Sequence, residues 1–312
     1  MHDLRTPLYN LWMVQYLIIS NDNQGEWYVS MNRLIKRKPL KEKIVVICGG
    51  AKGMGKALAK IIVQLGGSLC IIDIDSESLK KTNEELINYI GQESQFITTI
   101  TCDTREMNEL KSLLTSFIEK NGIPDYLINV VGCARPDYVE NYTLQDFEKL
   151  MNENYYGQLI PTLILLPYFM EEKKGHVINF TSALGYFGMM GYTTYSPSKF
   201  ALVGLTEALR HELKPYNIRF SLIYPTDTDT PGYAEENKTK PEECALISTV
   251  GKLANPDEVA EKYIKSILKK KFYILTGMAK IGWKLKRHLP RLYWYYFDRA
   301  YKKAIKEVGK MN

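Results

Sequence analysis

A cluster of glycines between an apolar segment and an amphipathic one constrains this chain more than any other sequence feature. Residues 43–48 are apolar and β-branched, which is typical of a buried parallel strand, and residues 57–65 show helical periodicity. Glycines permit a tight turn and close backbone approach, and the helix N-terminus offers free N–H groups to a pyrophosphate. The order strand, turn, helix therefore predicts a dinucleotide site at Gly49, Lys52, Gly53, Met54 and Gly55.

The next apolar segment ends in an acid that bears on cofactor choice. Asp73 lies eighteen residues after Gly55, where a carboxylate accepts hydrogen bonds from ribose hydroxyls and repels a 2′-phosphate. Asp73 therefore favours NAD(H), although an acid here can also cap a helix, a task that suits Asp75 as well. Lys52 favours NADP(H) instead, because a cation in the phosphate loop can bind a 2′-phosphate.

Helical segments of about a dozen residues alternate with short apolar segments along the rest of the chain. Further strands are predicted at residues 95–101, 126–131, 176–180, 219–224 and 272–275. Such alternation predicts an α/β fold of the Rossmann type, a doubly wound parallel sheet of about seven strands with helices on both faces. In an open sheet of this kind, ligands bind beyond the carboxyl ends of the strands.

Two of these strand ends carry polar residues suited to a ligand. Asp103 follows the third strand, where its carboxylate could bind an adenine amino group or cap a helix that opens at Thr104. The loop at residues 225–232 follows the sixth strand and is crowded with hydroxyls and carboxylates. Both segments are expected at the ligand-binding edge of the sheet.

A tyrosine and a lysine four residues apart mark the candidate catalytic site. If a helix begins near Thr194, Tyr195 and Lys199 share one face of it. A phenol titrates near about pH 10, and an ammonium held beside it favours the phenolate and lowers that pKa. Ser182 follows the fifth strand, where its hydroxyl could bind a substrate carbonyl. This arrangement suits a general acid, although a partly buried tyrosine beside a solvated lysine would show the same spacing.

Taken together, these residues resemble the short-chain dehydrogenase/reductase family over residues 41–275. The matched positions are Gly49, Gly53, Gly55, Asn129, Gly132, Asn154, Ser182, Tyr195 and Lys199. Cys48 stands where the family usually has threonine, and Val130-Val131 stand where it has Asn-Ala. Neither difference affects the catalytic set.

The resemblance implies a role for each matched side chain. Tyr195 would protonate a carbonyl oxygen as hydride arrives from nicotinamide C4, and Ser182 would bind the developing alkoxide. Lys199 would lower the Tyr195 pKa and hold the nicotinamide ribose. Asn154, which falls inside a helix predicted at 143–156, would position a water that relays protons. The cofactor set implied is Gly49, Lys52, Gly53, Met54, Gly55, Asp73, Asp103, Asn129, Gly132, Tyr195, Lys199, Pro225, Thr228 and Thr230.

A narrower likeness covers residues 224–241, which are similar to the signature segment of the 3-ketodihydrosphingosine (3-dehydrosphinganine) reductases. This likeness implies reduction of a long-chain lipid ketone in sphingolipid metabolism, and it favours NADP(H). A 3-oxoacyl thioester reductase or a hydroxysteroid dehydrogenase would use the same catalytic residues. A catalytically silent, dinucleotide-sensing protein is the alternative from another class, but such proteins typically lose the tyrosine or the lysine. The family also implies a homo-oligomer, either a dimer or a tetramer.

The net charge of +6 is unevenly distributed along the sequence. Residues 31–43 and 262–312 contain six and fifteen basic residues against one and two acids, whereas residues 44–261 contain nineteen against twenty-nine. Near the C-terminus, aromatic and apolar residues repeat every four positions from Tyr293 to Ile305, with basic residues elsewhere on the helix. This pattern predicts either binding to an anionic membrane surface or packing on the domain or a second subunit. No motif supports nucleic acid binding.

These patterns divide the chain into an N-terminal extension at 1–40, a catalytic domain at 41–277 and a basic aromatic extension at 278–312. Residues 8–19 are too short an apolar run to span a bilayer and suggest an interfacial or packing helix. Met31 could be a functional start. The five cysteines lack metal-ligand spacing, so no metal site is predicted. Their apolar settings indicate a reducing compartment, and we expect a cytoplasmic protein, peripheral on the cytoplasmic face of a membrane.

Overall fold

A seven-stranded, all-parallel sheet forms the centre of the molecule, as the alternation predicts. The computed structural model describes residues 24–248 and 253–309. The strands are β1 Ile44–Cys48, β2 Ser68–Asp73, β3 Ile97–Thr101, β4 Tyr126–Asn129, β5 Gly175–Phe180, β6 Ile218–Tyr224 and β7 Tyr273–Leu275. Their order is β3-β2-β1-β4-β5-β6-β7. The strand order reverses between β1 and β4, which opens a crevice at their carboxyl ends.

Helices connect the strands and cover both faces of the sheet. In chain order they are α1 Gln24–Arg37, α2 Gly53–Gln64, α3 Ser76–Ile87, α4 Met107–Asn121, α5 Leu144–Met151, α6 Gly157–Glu171, α7 Tyr195–Glu212, α8 Pro231–Glu236, α9 Glu242–Ser248, α10 Pro256–Leu268, α11 Gly277–His288 and α12 Pro290–Val308. Alternate strand residues enter two separate cores. Val45 and Ile47 face one, and Val46 and Cys48 face the other. Burial on both faces explains why the strands are continuously apolar.

Residues before the boundary predicted at residue 41 also contact the core of the domain. Met31 in α1 and Leu40 after it are buried and belong to the core beneath β1. Leu34 and Ile35 of the same helix also pack against this core, and these contacts hold α1 against the domain. Residues 31–40 are therefore part of the folded unit, and the helix suggested at residues 8–19 lies outside the described residues.

The single helix predicted at residues 143–156 is interrupted. Helix α5 ends at Met151, a π-helical turn spans Asn152–Tyr156, and α6 then continues to Glu171. A π turn widens the helix by one residue and redirects the side chains on it. It points Asn154, which is fully buried, toward the interior at the sheet edge.

Helices α11 and α12 pack back onto the domain. Tyr293 and Ala304 of α12 are buried, and the rings of Tyr293 and Phe297 lie 5.7 Å and 5.5 Å from the ring of Phe187. The stripe of aromatic and apolar residues that begins at Tyr293 therefore packs on the domain in this structure. Within residues 24–248 and 253–309, no helix combines the length and the apolar character that crossing a membrane requires.

Candidate active site

A cavity of about 530 Å³ opens at the carboxyl ends of β1, β2 and β4. The glycine loop, the ends of these strands, and the start of α8 form its walls. Nine of the predicted cofactor residues line these walls: Gly49, Lys52, Gly53, Met54, Gly55, Asp73, Asp103, Gly132 and Thr230. The crevice predicted from the strand pattern is thus present.

The glycine loop presents backbone rather than side chains to this cavity. Gly49 has a φ of +85°, and a Cβ atom on Gly55 would lie 2.0 Å from the carbonyl oxygen of Gly49. Helix α2 begins directly behind, and no side chain caps its first N–H groups. These uncapped N–H groups and the helix dipole favour an anion. The loop therefore fits the pyrophosphate of a dinucleotide.

Asp73 is held in place at the end of β2 by two backbone N–H groups. Its carboxylate accepts from the amide of Ala51 at 3.0 Å and from that of Asp75 at 3.2 Å. Asp75 itself caps α3 by accepting from the amide of Ser78 at 2.9 Å, as the sequence suggested. The Lys52 ammonium lies 2.5 Å from the Asp75 carboxylate, and this pairing raises the pKa of Lys52.

Asp103 lies on the cavity wall but does not cap a helix. Helix α4 begins at Met107, not at Thr104, so the predicted capping role is wrong. The Asp103 carboxylate instead accepts from the guanidinium of Arg105 at distances of 2.5 to 3.0 Å, and this pairing holds the pKa of Asp103 below its usual value. Arg105 also lines the cavity and was missed by the sequence analysis. Its position two residues after Asp103, at the same strand end, could have predicted this contact with the cavity.

Asn129 is not part of the cavity wall. Its side-chain amide is fully buried and donates to Gln158, Thr162 and Asn179, which ties the end of β4 to α6 and β5. These hydrogen bonds give Asn129 a structural role, and its contact with a cofactor stays a prediction. Gly132 does reach the site, because a Cβ atom there would lie 2.7 Å from Asn154 Oδ1 and 2.8 Å from Lys199 Nζ.

Asn154 ties Cys133, which lines the cavity, to helix α7. Its side chain accepts from the amide of Cys133 at 2.8 Å and donates to the carbonyl of Cys133 at 3.0 Å. It also donates to the hydroxyl of Ser198 on α7 at 3.1 Å. The π turn thus joins β4 to the helix that carries Tyr195 and Lys199.

Tyr195 opens helix α7, with Lys199 one turn later, as predicted. The Lys199 ammonium lies 5.5 Å from the centroid of the Tyr195 ring and donates to the carbonyl of Phe180 at 3.3 Å. Ser182 follows β5, and its hydroxyl hydrogen-bonds the Tyr195 phenol. The structure therefore brings all four predicted catalytic side chains together beside Gly132.

The protonation of the pair differs from the sequence expectation. Burial, and after it the charge of Glu236, raises the pKa of Tyr195, although the hydrogen bond with Ser182 opposes this rise. Burial also lowers the pKa of Lys199 to about 8. Loss of water around the phenol thus raises its pKa in this structure, whereas the Tyr-to-Lys spacing alone predicts a lowering by Lys199.

The loop after β6 contributes one of its three predicted residues. Thr230 lines the cavity beside Gly53 and caps α8 by accepting from the amide of Tyr233 at 3.2 Å. Thr228 is buried and donates to the carbonyl of Thr226 at 2.7 Å, and neither it nor Pro225 lines the cavity. The cofactor contacts of Thr228 and Pro225 therefore stay predictions.

An apolar wall that the sequence pattern does not predict packs beside Tyr195. Phe187, Met189 and Met190 pack in one apolar cluster with Tyr195. The neighbouring Tyr186 donates to the carbonyl of Ala279 at 3.1 Å, which attaches this wall to α11. The local sequence does not predict this wall, because the residues that it packs against lie about a hundred positions further along the chain.

Comparison with known proteins agrees with this geometry. A family model described as short chain dehydrogenase matches residues 43–241. A "3-ketodihydrosphingosine reductase" of Dictyostelium discoideum is 38% identical over 86% of this chain and 85% of its own length, and a "3-dehydrosphinganine reductase" of Danio rerio is 37% identical over 77% and 73%. A short chain dehydrogenase/reductase from Burkholderia phymatum, solved in complex with NAD, matches the fold with a TM-score of 0.71 at 23% identity, covering 81% of this chain and 95% of its own.

Proposed function

Since the chain belongs to the short-chain dehydrogenase family, we propose that it reduces 3-ketodihydrosphingosine, or a closely similar long-chain 3-keto amino alcohol, to the secondary alcohol. It is a nicotinamide-dependent oxidoreductase acting on CH–OH groups. The observation that carries the proposal is the grouping of Tyr195, Ser182, Lys199 and Asn154 beside the glycine-loop cavity. The named relatives, which this chain matches over most of their length, supply the substrate class.

The chemistry follows from the placement of these side chains. A bound dinucleotide supplies the hydride that reaches the carbonyl carbon. Tyr195 donates its phenolic proton to the carbonyl oxygen, so the ketone gains one hydride and one proton. The raised pKa keeps Tyr195 protonated until the oxygen begins to take up charge. Ser182 hydrogen-bonds the same oxygen, and the Lys199 ammonium stabilises the phenolate left behind.

The apolar surroundings of Tyr195 support a long alkyl substrate. Phe187, Met189 and Met190 form the wall there, together with Ala134. Methionine side chains are unbranched and polarisable, so they adapt to a flexible hydrocarbon chain. A wall of this kind offers few hydrogen-bond partners to a polar pantetheine or to a small polar ketone.

For the cofactor, we propose NAD(H) over NADP(H). Asp73 is fixed by two amide donors with its carboxylate at the cavity wall, where it accepts from ribose hydroxyls and repels a 2′-phosphate. Lys52, which favours the phosphate, is paired with Asp75. Initial rates with NADH and NADPH test this preference, and Asp73→Ser is expected to shift the ratio of kcat/KM toward NADPH by about tenfold. A wild-type enzyme that prefers NADPH would contradict the proposal.

The decisive assay offers purified protein three ketones with each reduced cofactor. The ketones are 3-ketodihydrosphingosine, an acetoacetyl thioester and a ketosteroid. We expect the first to give the highest kcat/KM. A preference for the thioester or the steroid would instead identify one of the alternative reductases, and binding of dinucleotide without turnover of any ketone would identify a sensing protein.

The outer face of α12 is proposed to rest on the cytoplasmic face of an anionic membrane. Leu292, Trp294, Tyr295 and Tyr296 are exposed there, and so is Leu289 directly before the helix. The exposed basic residues of the same helix are Arg291, Arg299, Lys302, Lys303 and Lys306. An apolar face bordered by cations suits anionic headgroups, and such a position would let a lipid ketone enter directly.

Flotation with phosphatidylserine vesicles tests this surface. Replacing Leu292 and Tyr296 by Glu should abolish flotation, because it removes apolar area and adds negative charge. Leu144→Glu is the matched control, since Leu144 is also exposed but lies on α5. Equal recovery of all three proteins would contradict membrane binding through α12.

We also propose that the chain forms a homo-oligomer through the helices that flank Tyr195. Exposed apolar residues offer a surface that a second copy could cover: Tyr156 in the π turn, Leu163 on α6 and Phe200 on α7. Light scattering should give the mass of a dimer or tetramer, and Leu163→Lys should reduce it. A monomeric wild-type protein at micromolar concentration would contradict this proposal.

A further inference from the structure

Gln158, at the start of α6, is a fully buried side chain that no step of the carbonyl reduction described above uses. Its amide nitrogen donates to two backbone carbonyls, that of Val131 at 2.8 Å and that of Phe180 at 2.9 Å. Its amide oxygen accepts from the backbone N–H of Phe180 at 3.2 Å. One side chain therefore bridges the segment that follows β4 and the last residue of β5.

These two backbone segments lie beyond the end of a strand ladder. The last residues paired between β4 and β5 are Asn129 and Asn179. Buried backbone groups cost free energy unless they are hydrogen-bonded. Gln158 provides the partners that the next rung of the ladder would have supplied to Val131 and Phe180. Its amide therefore occupies acceptors that would otherwise be open.

Lys199 lies beside the same acceptors. Its ammonium donates to the Phe180 carbonyl at 3.3 Å, so this oxygen is shared between the lysine and Gln158. Lys199 is also close to the residue that follows Val131, because a Cβ atom on Gly132 would lie 2.8 Å from Nζ. An ammonium has three donors and sits on a flexible stem. If the amide were absent, Lys199 would be placed to donate to both carbonyls.

We propose that Gln158 is a positioning residue: it occupies the Val131 and Phe180 carbonyls and so keeps the Lys199 ammonium directed toward Tyr195 and the cofactor cavity. The inference rests on the proposed function, in which that ammonium stabilises the phenolate of Tyr195. Without the amide, the ammonium would donate to both carbonyls and move away from the phenol. The added hydrogen bond would favour the charged lysine, so Lys199 would stay protonated to a higher pH.

The direct test follows the ionisation of Lys199 by NMR, with lysine labelled at Cε and the resonance assigned by its absence in Lys199→Met. Burial lowers the pKa of Lys199 to about 8, which is the midpoint expected for the wild type. Gln158→Met keeps the length of the side chain without its donors. It should raise the midpoint by about one pH unit, the effect of one more hydrogen bond to a charged group. Gln158→Asn is the milder variant, since its amide is too short to bridge both carbonyls, and it should raise the midpoint by about half as much.

The pH dependence of ketone reduction gives a second readout. Among the described residues, the titratable groups that face Lys199 are Tyr195 on the same helix and Cys133 after β4. Burial raises the pKa of both, so both stay neutral up to about pH 10. In Gln158→Met, the fall of the rate with pH should move up with the Lys199 midpoint. At neutral pH its kcat should be about tenfold lower than that of the wild type, with KM for the ketone unchanged.

Thr162→Val is the matched control. The Thr162 hydroxyl is fully buried on the same helix, donates to the backbone carbonyl of Gln158 at 2.8 Å and accepts from Asn129 at 3.0 Å. These hydrogen bonds involve neither Phe180 nor Lys199. The control should therefore lower the melting temperature, as the Gln158 variants do, and leave the Lys199 midpoint at its wild-type value.

A midpoint that stays constant or falls in both Gln158 variants overturns the role of Gln158, and so does an equal rise in Thr162→Val. A wild-type protein that reduces no ketone overturns the proposed function instead. The NMR titration needs no substrate, so it then still decides whether Gln158 directs the Lys199 ammonium.

Discussion

The two walls of the active site are built in different ways. The cofactor wall consists of backbone: Gly49 and Gly55 leave no room for side chains, and the first N–H groups of α2 are uncapped. The substrate wall consists of side chains from distant segments, such as Phe187 against Tyr293 and Tyr186 against Ala279. A wall of backbone tolerates little change at its glycines. In a wall of aromatic side chains, each substitution should lower substrate binding by a limited amount. Each prediction below tests one side of this contrast or the boundary between them.

At the boundary, Tyr195→Phe should have the largest effect. Removing the acid is expected to lower kcat by about a thousandfold, within the range for loss of general acid catalysis. The Kd for NADH, measured by fluorescence titration, should change little because the cofactor wall is untouched. Tyr126→Phe, at the opposite end of the sheet, is the control. Retention of full activity by Tyr195→Phe would refute the assigned acid.

Gly55→Ala tests the cofactor wall alone. A methyl group 2.0 Å from the carbonyl oxygen of Gly49 must push the loop outward, and overpacking of this kind costs roughly 2 to 3 kcal/mol. We therefore expect the Kd for NADH to rise by about a hundredfold. Gly188→Ala is the control on the substrate wall, since nothing lies within 4 Å of its added methyl. Equal effects of the two substitutions would remove the contrast between the walls.

Lys199 lies where the two walls meet, and pH tests its charge. Its pKa is lowered to about 8, so it is an ammonium below that pH and neutral above it. Ketone reduction should therefore fall as pH rises through about 8, to about a tenth by pH 9. Burial raises the pKa of Tyr195, so the phenol does not lose its proton in this range. A rate of ketone reduction that does not change up to pH 10 would contradict the role given to Lys199.

Phe187→Ala should have the smallest effect and a different signature. Because Phe187 is half-buried between the site and α12, its loss is expected to cost about 1 kcal/mol and raise KM for the long-chain ketone about fivefold. The Kd for NADH should stay at its wild-type value. Phe96→Ala is the control for general destabilisation, because Phe96 packs on Phe117 away from the site. A rise in the NADH Kd instead of KM would show that the walls are coupled.

The same contrast explains how much of the molecule the sequence predicts. Residues whose role is imposed by backbone geometry, such as Gly55, or by helical spacing, such as Tyr195 and Lys199, are identified from local pattern. The inward hydrogen bonds of Asn129 could not be predicted, because a strand-end position does not reveal whether a side chain turns into the fold or toward a ligand. The raised pKa of Tyr195 depends on burial and on Glu236, forty-one residues away, and neither is visible in the Tyr-to-Lys spacing.

The attachment of Tyr186 and Phe187 to α11 and α12 has a practical consequence for anyone who produces this protein. The basic, aromatic C-terminal region looks like something to remove for better yield, yet Ala279 and Tyr293 brace the loop that follows Ser182. Shortening the chain before Gly277 would leave that loop without support and would expose apolar rings to aggregation. Affinity tags belong beyond the last helix, and surface charge should be tuned on the outer residues of α12 rather than by deleting it.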